Sequence, residues 1–172
     1  ELIKEKCNII INMTTSGEFK TVDDCTVIGS FIQNDTLRTD VLKLKPEMGT
    51  FDIGTMNFGR AIFLNPIPFL ESMGTQMQEL GVKPEVECFD IGHIRTAAAL
   101  IKSGHLKAPV HFQFCLGIAG GAAGTVENLN YMKRLLPEDS TWSAFGIGAS
   151  HLPVIFTSLA LGGHIRVGLE DN

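Results

Sequence analysis

The chain lacks most of the features that announce a function outright. No apolar stretch approaches the roughly 18 to 20 residues that a bilayer span requires, and the first residues carry no signal-peptide pattern. There is no basic run, and 14 Lys and Arg against 19 Asp and Glu give a formal net charge of −5. Nucleic acid and anionic membranes are therefore poor partners. The 4 cysteines are widely spaced, with no CxxC pair. Cys7, Cys25, Cys88 and Cys115 are expected to be reduced and buried thiols of a cytoplasmic protein. GxSxG, P-loop and Ser-His-Asp arrangements are missing, and the 5 histidines show neither HxH nor HExxH spacing. A metal site built wholly within these residues is not expected.

What is present is a globular composition, with 44% hydrophobic and 19% charged residues in a length of 172 that suits one domain with a sizeable core. Short β-branched runs alternate with segments of helical period, the signature of βα units around a parallel sheet. Strands are expected at Asn8 to Met13, Met48 to Gly54, Glu85 to Ile91, Val110 to Ile118, Trp142 to Gly148 and His164 to Asp171. Helices are expected at about 66–80, 94–103, from the glycine-rich loop through about 136, and 151–161. Six such strands cannot close an eight-stranded barrel. The chain opens in what reads as the tail of a helix, so a piece of a longer barrel is the expectation. The polar stretch 18–44 carries no clear period and is read as an insertion, a loop near the top of the sheet.

Chemistry in such a fold sits where strands end. The first exit offers Thr14, Thr15, Ser16 and Gly17, hydroxyls and N–H groups suited to a carboxylate or phosphate but equally to an ordinary turn. Thr50 lies inside the second strand. Glu85 and Glu87 share one face of the third, and periodicity does not say whether that face meets solvent or the interior, where a carboxylate needs a partner or a task. Gly117 to Gly124 can cradle a phosphate or simply permit close packing. GGHIRVGLEDN, at Gly162 to Asn172, delivers Arg166, Glu170 and Asp171 together at a strand end.

Taken in order, NMTTSG, KPEMGTFDIGTMNFG, KPEVECFDIGHI, FCLGIAGG and GGHIRVGLEDN closely resemble the β-keto acid cleavage enzymes, of the 3-keto-5-aminohexanoate cleavage enzyme type. The resemblance runs in register from Ile9 to Asn172, apart from 18–44, which is longer than the family pattern. It implies a TIM (β/α)8 barrel of which this chain carries about strands 3–8. It implies zinc, with acetyl-CoA as cosubstrate and coenzyme A passing to the new acyl group. The reaction would take a β-keto acid and acetyl-CoA to acetoacetate and an acyl-CoA, in amino-acid catabolism, in a cytoplasmic homo-oligomer. The match makes Glu170 a zinc ligand, Asp171 the base, Arg166 the residue that orients it and Glu87 a group for the later proton transfer. Thr14, Gly17 and Thr50 would hold the substrate carboxylate. The family's HxH pair and first-strand glutamate have no counterpart here. Two other classes fit the residues less fully: a non-catalytic barrel that binds CoA or an acyl ligand, and an aldolase-like barrel lyase. Met56, Phe58 and Ser150 are candidates for shaping substrate choice.

Overall fold

The structure, a computed structural model, describes residues 2–22, 24–29 and 36–171. After a short helix α1 (Leu2–Lys6), the chain forms strands β1 (Asn12–Met13), β2 (Phe19–Val22) and β3 (Cys25–Gly29). Helix α2 (Thr36–Thr39) runs into a 3-10 turn at Asp40–Leu44, then come β4 (Met48–Asp52), β5 (Met56–Phe58) and β6 (Ala61–Leu64). The rest alternates: α3 (Ile67–Leu80), β7 (Lys83–Cys88), α4 (Ile91–Lys102), β8 (His111–Leu116), α5 (Val126–Arg134), β9 (Thr141–Gly146), α6 (His151–Ala160) and β10 (His164–Ile165).

Six strands form one parallel sheet in the order β1-β4-β7-β8-β9-β10. Parallel neighbours need a crossover, and α3 to α6 provide one for each pair from β4 to β10. Period two decides what each face buries. Phe51, Val86, Cys88, Phe112, Phe114, Trp142 and Ala144 all belong to the main apolar cluster under the helices. Their neighbours in sequence, Thr50, Asp52, Glu85, Glu87, Gln113 and Ser143, are buried on the opposite face. The sheet is therefore buried on both sides, apolar towards the helices and polar towards its interior.

The helices start and stop where local chemistry dictates. Asp90 accepts from the Gly92 N–H at 3.1 Å and Thr125 from the Asn128 N–H at 3.2 Å, both as N-caps. The Asp90 cap begins α4 three residues before the expected boundary. Gly81 closes α3 in the left-handed conformation.

Several expectations are corrected. The stretch read as a loop, 18–44, contains the antiparallel β2–β3 pair, and residues 56–64, for which no strand was expected, contain β5–β6. Together they make a second sheet, β2-β3-β6-β5, which sets Ile28, Met56 and Phe63 against Phe89, Cys115 and Phe145. Residues 23 and 30–35 of the 18–44 stretch, and the terminal Glu1 and Asn172, lie outside the described residues. The first strand is only Asn12–Met13, and Ile9 and Ile10 are exposed. Its sole partner among the described residues is β4, which leaves nothing on the other side to cover them. The last strand ends at Ile165, after which the chain turns. All four cysteines are free, but only Cys88 and Cys115 are buried, and Cys7 is exposed.

Two predictions follow from packing. Gly74 lies inside α3, where alanine ordinarily gains roughly 1 kcal/mol; here a Cβ would stand 2.3 Å from the His105 carbonyl oxygen. Gly74→Ala should therefore destabilise the fold by about 1–3 kcal/mol, measured by urea denaturation. His93 is buried with its Nδ1 accepting from the Phe89 N–H at 3.2 Å, and burial holds its pKa below the ordinary 6.5. Its contribution to stability is present above that ordinary value and is lost as pH falls through the lowered one. The urea midpoint should drop over that acidic window, and His93→Gln should drop less steeply.

Candidate active site

The inner face of the sheet and the second sheet enclose a cavity of about 550 Å³. The residues to which the resemblance gives a catalytic, substrate-holding or metal role all line it: Thr14, Gly17, Thr50, Glu87, Arg166, Glu170 and Asp171. The face left open for Glu85 and Glu87 is settled by their neighbours. Val86 and Cys88 occupy the helix-side core, so both glutamates turn inward and are 8% and 6% exposed. Burial raises the pKa of each against the pull of Arg166; Asn12 Nδ2 also donates to Glu85 at 2.6 Å.

Arg166 organises the acidic groups. Its Nε and Nη2 each donate to Asp171 at 3.1 Å, a bidentate fork, while Nη1 donates to Glu87 Oε1 at 2.8 Å. Nη2 also donates to Glu170. The guanidinium stacks 4.4 Å over the Phe145 ring, which fixes its plane. Burial alone would weaken the cation; the facing Glu87 and Asp171 carboxylates more than offset this and raise its pKa. Asp171 is 5% exposed, and its backbone is pinned by its N–H to the Gly168 carbonyl. Glu170 is different, with 76% of its side chain exposed at the mouth.

Opposite this hub, Thr15 and Thr50 lock the first strand exit to β4: the Thr15 N–H donates to Thr50 Oγ1 and the Thr15 hydroxyl to the Thr50 carbonyl, both at 2.8 Å. Thr14 Oγ1 and Ser16 Oγ lie 3.0 Å apart, and Ser16 Oγ donates to Asp52 Oδ2 at 2.9 Å. Asp52 and Arg38 are the residues that sequence reasoning missed. Asp52 had a signal, since it lies two residues after Thr50 and shares its face. Arg38 sits in the unperiodic stretch, where only its register with the following KPEM marks it. It is 3% exposed and donates to the Thr15 carbonyl at 2.7 Å, the Leu64 carbonyl at 3.3 Å and Asn65 Oδ1 at 2.8 Å, which ties α2 to both sheets.

The glycine-rich loop is explained by packing. A Cβ at Gly120 would lie 2.0 Å from the Asn57 carbonyl oxygen, one at Gly121 2.6 Å from that of Phe89, and one at Gly124 2.3 Å from Ser150 Cβ. Ser150 serves this contact rather than the cavity. Phe58 lines the cavity, whereas Met56 is buried beneath it and faces a second, more open depression by His93. Among the described residues no group of three His, Cys, Asp or Glu side chains is placed to hold a metal ion. Glu170, committed to Arg166, is one ligand and does not by itself fit zinc.

The family model described as beta-keto acid cleavage enzyme matches residues 1–172. The chain is 37% identical over 173 residues to the 3-keto-5-aminohexanoate cleavage enzyme of Fusobacterium nucleatum, covering all of this chain and 59% of that protein. It is 40% identical over 134 residues to the 3-dehydrocarnitine:acetyl-CoA trimethylamine transferase of Rhizobium meliloti, covering 77% of this chain and 45% of that one. The chain thus spans between 45% and 59% of the length of these relatives. The apo structure of ObcA superposes with a TM-score of 0.78 at 19% identity, over 99% of this chain and 43% of the other. That likeness supports the same sheet architecture. With the match running through every residue of the cavity, the chain belongs to the beta-keto acid cleavage enzyme family.

Proposed function

We propose that this chain supplies strands 3–8 of a TIM barrel and the acid–base half of an enzyme that converts a β-keto acid and acetyl-CoA to acetoacetate and an acyl-CoA. The observation that carries the reading is the Arg166 fork, which sets two buried carboxylates, Asp171 and Glu87, on the wall of one cavity. Cleaving a β-keto acid needs a base at the carbon between the keto and carboxylate groups and later an acid for the carbon released. The site holds one candidate for each.

In this scheme the substrate carboxylate is received by the Thr14 and Thr50 hydroxyls and the Gly17 N–H. Asp171 removes the proton from the adjacent carbon, whose electron pair becomes the double bond of an enolate. Arg166 keeps both Asp171 oxygens fixed, so that the free lone pairs meet the substrate at a constant angle. Once the enolate has taken the acetyl group and coenzyme A has added to the original keto carbon, the C–C bond breaks and Glu87 protonates the carbon released. Phe19, Ile28, Phe58 and Phe63 wall the cavity above these groups and exclude water from the enolate. We propose zinc dependence for the whole protein, with Glu170 as the ligand from this chain and the others supplied from outside the described residues. Zinc would supply Lewis-acid assistance to the keto oxygen. A cytoplasmic homo-oligomer in amino-acid catabolism is part of the same proposal and rests on the sequence resemblance alone. No helix among the described residues is long and apolar enough to cross a membrane.

The decisive experiment is acetyl-CoA-dependent acetoacetate release by the full-length protein over a panel of β-keto acids. Asp171→Asn should lower kcat by about 10²–10⁴-fold with little change in KM. Retention of full turnover would eliminate it as the base. Thr14→Val, at an exposed hydroxyl, should raise KM for the keto acid by about tenfold and leave kcat nearly unchanged, the signature of lost ground-state binding.

A further inference from the structure

Asp52 stands beside Glu87 in a position the Arg166 hub does not explain. The two are directly paired residues of β4 and β7, both on the cavity face, with Asp52 only 1% exposed. Glu87 commits Oε1 to Arg166. Asp52 commits Oδ2 to Ser16, with Arg38 Nη2 3.9 Å away, and its buried Oδ1 has no donor among the described residues. The wider cavity is crowded with negative charge, since the buried carboxylates Asp52, Glu85, Glu87 and Asp171 face the two guanidiniums Arg38 and Arg166.

Two ionised carboxylates in adjacent register repel strongly where water is excluded. A buried carboxylate oxygen without a donor also carries a desolvation cost. One proton removes both penalties. We propose that Asp52 and Glu87 hold a single proton between them, with Glu87 as the acid donating its O–H to the otherwise orphaned Oδ1 of Asp52.

The surroundings choose which partner carries it. Asp52 already receives the Ser16 hydroxyl and lies near Arg38, so the anion settles there. Around Glu87, Glu85 on the same strand and Asp171 behind Arg166 favour the neutral acid, Arg166 opposes it, and the Cys115 thiol of β8 is uncharged. Burial first, then the charge of Asp52 and a hydrogen bond with it, push the Glu87 carboxyl well above its usual range. Asp52 is accordingly a positioning residue: it keeps Glu87 loaded and fixes the direction of its O–H.

This deepens the proposed reaction and rests on it for its use. When the C–C bond of the adduct breaks, its electron pair and the Glu87 proton form the new C–H bond, leaving the pair doubly anionic. Asp171 has gained a proton in the first step, and exchange with solvent after product release restores both groups.

The test does not need turnover. In the full-length protein labelled with 13C at glutamate carboxyls, isotope-edited infrared spectra at neutral pH should show a protonated-carboxyl C=O band that is absent from Glu87→Gln. Glu87→Gln removes only this residue's contribution, so any band from Glu85 cancels in the difference. Asp52→Asn should weaken the Glu87 band at neutral pH and move its titration to lower pH, because the Asp52 charge is gone while Arg166 still favours the carboxylate. No Glu87 band in the wild type, or a band with an unchanged titration in Asp52→Asn, overturns the proposal. Should Asp52→Asn fail to fold, urea midpoints serve instead. A raised folded pKa gives stability that is present at acid pH and lost as pH rises through that value. Wild type should lose more stability on that rise than Glu87→Gln, whose amide N–H serves the same Oδ1 and in which Glu85 alone of the two glutamates still titrates high; parallel curves overturn the proposal equally. A silent acetoacetate assay with the band present counts against the reaction alone, and a working assay without the band counts against the shared proton alone.

Discussion

One guanidinium gathers carboxylates from the middle and the last residues of the sequence. Arg166 reaches Glu87 on β7 and Asp171 and Glu170 just beyond β10, so the central and edge strands must curl towards each other for the contacts to exist. A half-buried arginine and its partners are costly to desolvate singly and become tolerable only as a set. The polar interior, the stacking on Phe145 and the placement of the turn after Ile165 follow from satisfying that set. The opposite wall repeats the solution, with Arg38 spanning Thr15, Leu64 and Asn65.

The sheet succeeds with a polar interior because its two faces have separate tasks. Towards the helices, alternate residues such as Phe51, Val86, Phe112 and Trp142 supply the apolar burial that stabilises the fold. Towards the cavity, Gln113 and Ser143 bond each other at 2.6 Å and Ser143 also meets His111 at 3.1 Å, so these buried polar groups have partners. Asp52 Oδ1 breaks that pattern, which is why it is informative.

Much of this arrangement was legible in the sequence, where period and motif coincided. The strand centres at Phe51, Val86, Phe114 and Ala144 were readable because β-branched and aromatic residues cluster there, and the order of five motifs pointed to the residues that now share a cavity. Which way Glu85 and Glu87 faced was not legible, because an alternating strand reads identically from either side until its neighbours are known. Asp52 was overlooked within FDIG despite sharing the phase of Thr50. The hairpin at 19–29 was hidden because both of its faces are only partly buried and its stabilising partner, β6, lies far along the chain. The ends of the first and last strands were overestimated, since apolar residues alone do not make a strand without a pairing partner.

Phe58, Phe63 and Phe89 meet edge to face with ring centroids 5.8, 5.9 and 6.1 Å apart, joining the second sheet to the exit of β7. Such pairs hold the second sheet in place by about 0.5–1.5 kcal/mol each beyond simple burial. That seam divides labour along the polypeptide. The charged groups Glu87, Arg166 and Asp171 come from the βα repeats and the turn after the last strand, while the apolar side chains of the facing wall, Phe19, Ile28, Phe58 and Phe63, come from the two hairpins. Substitutions can therefore reshape the apolar wall of the cavity within the hairpins while leaving the charged hub untouched, so that shape and charge are carried by separate parts of the fold.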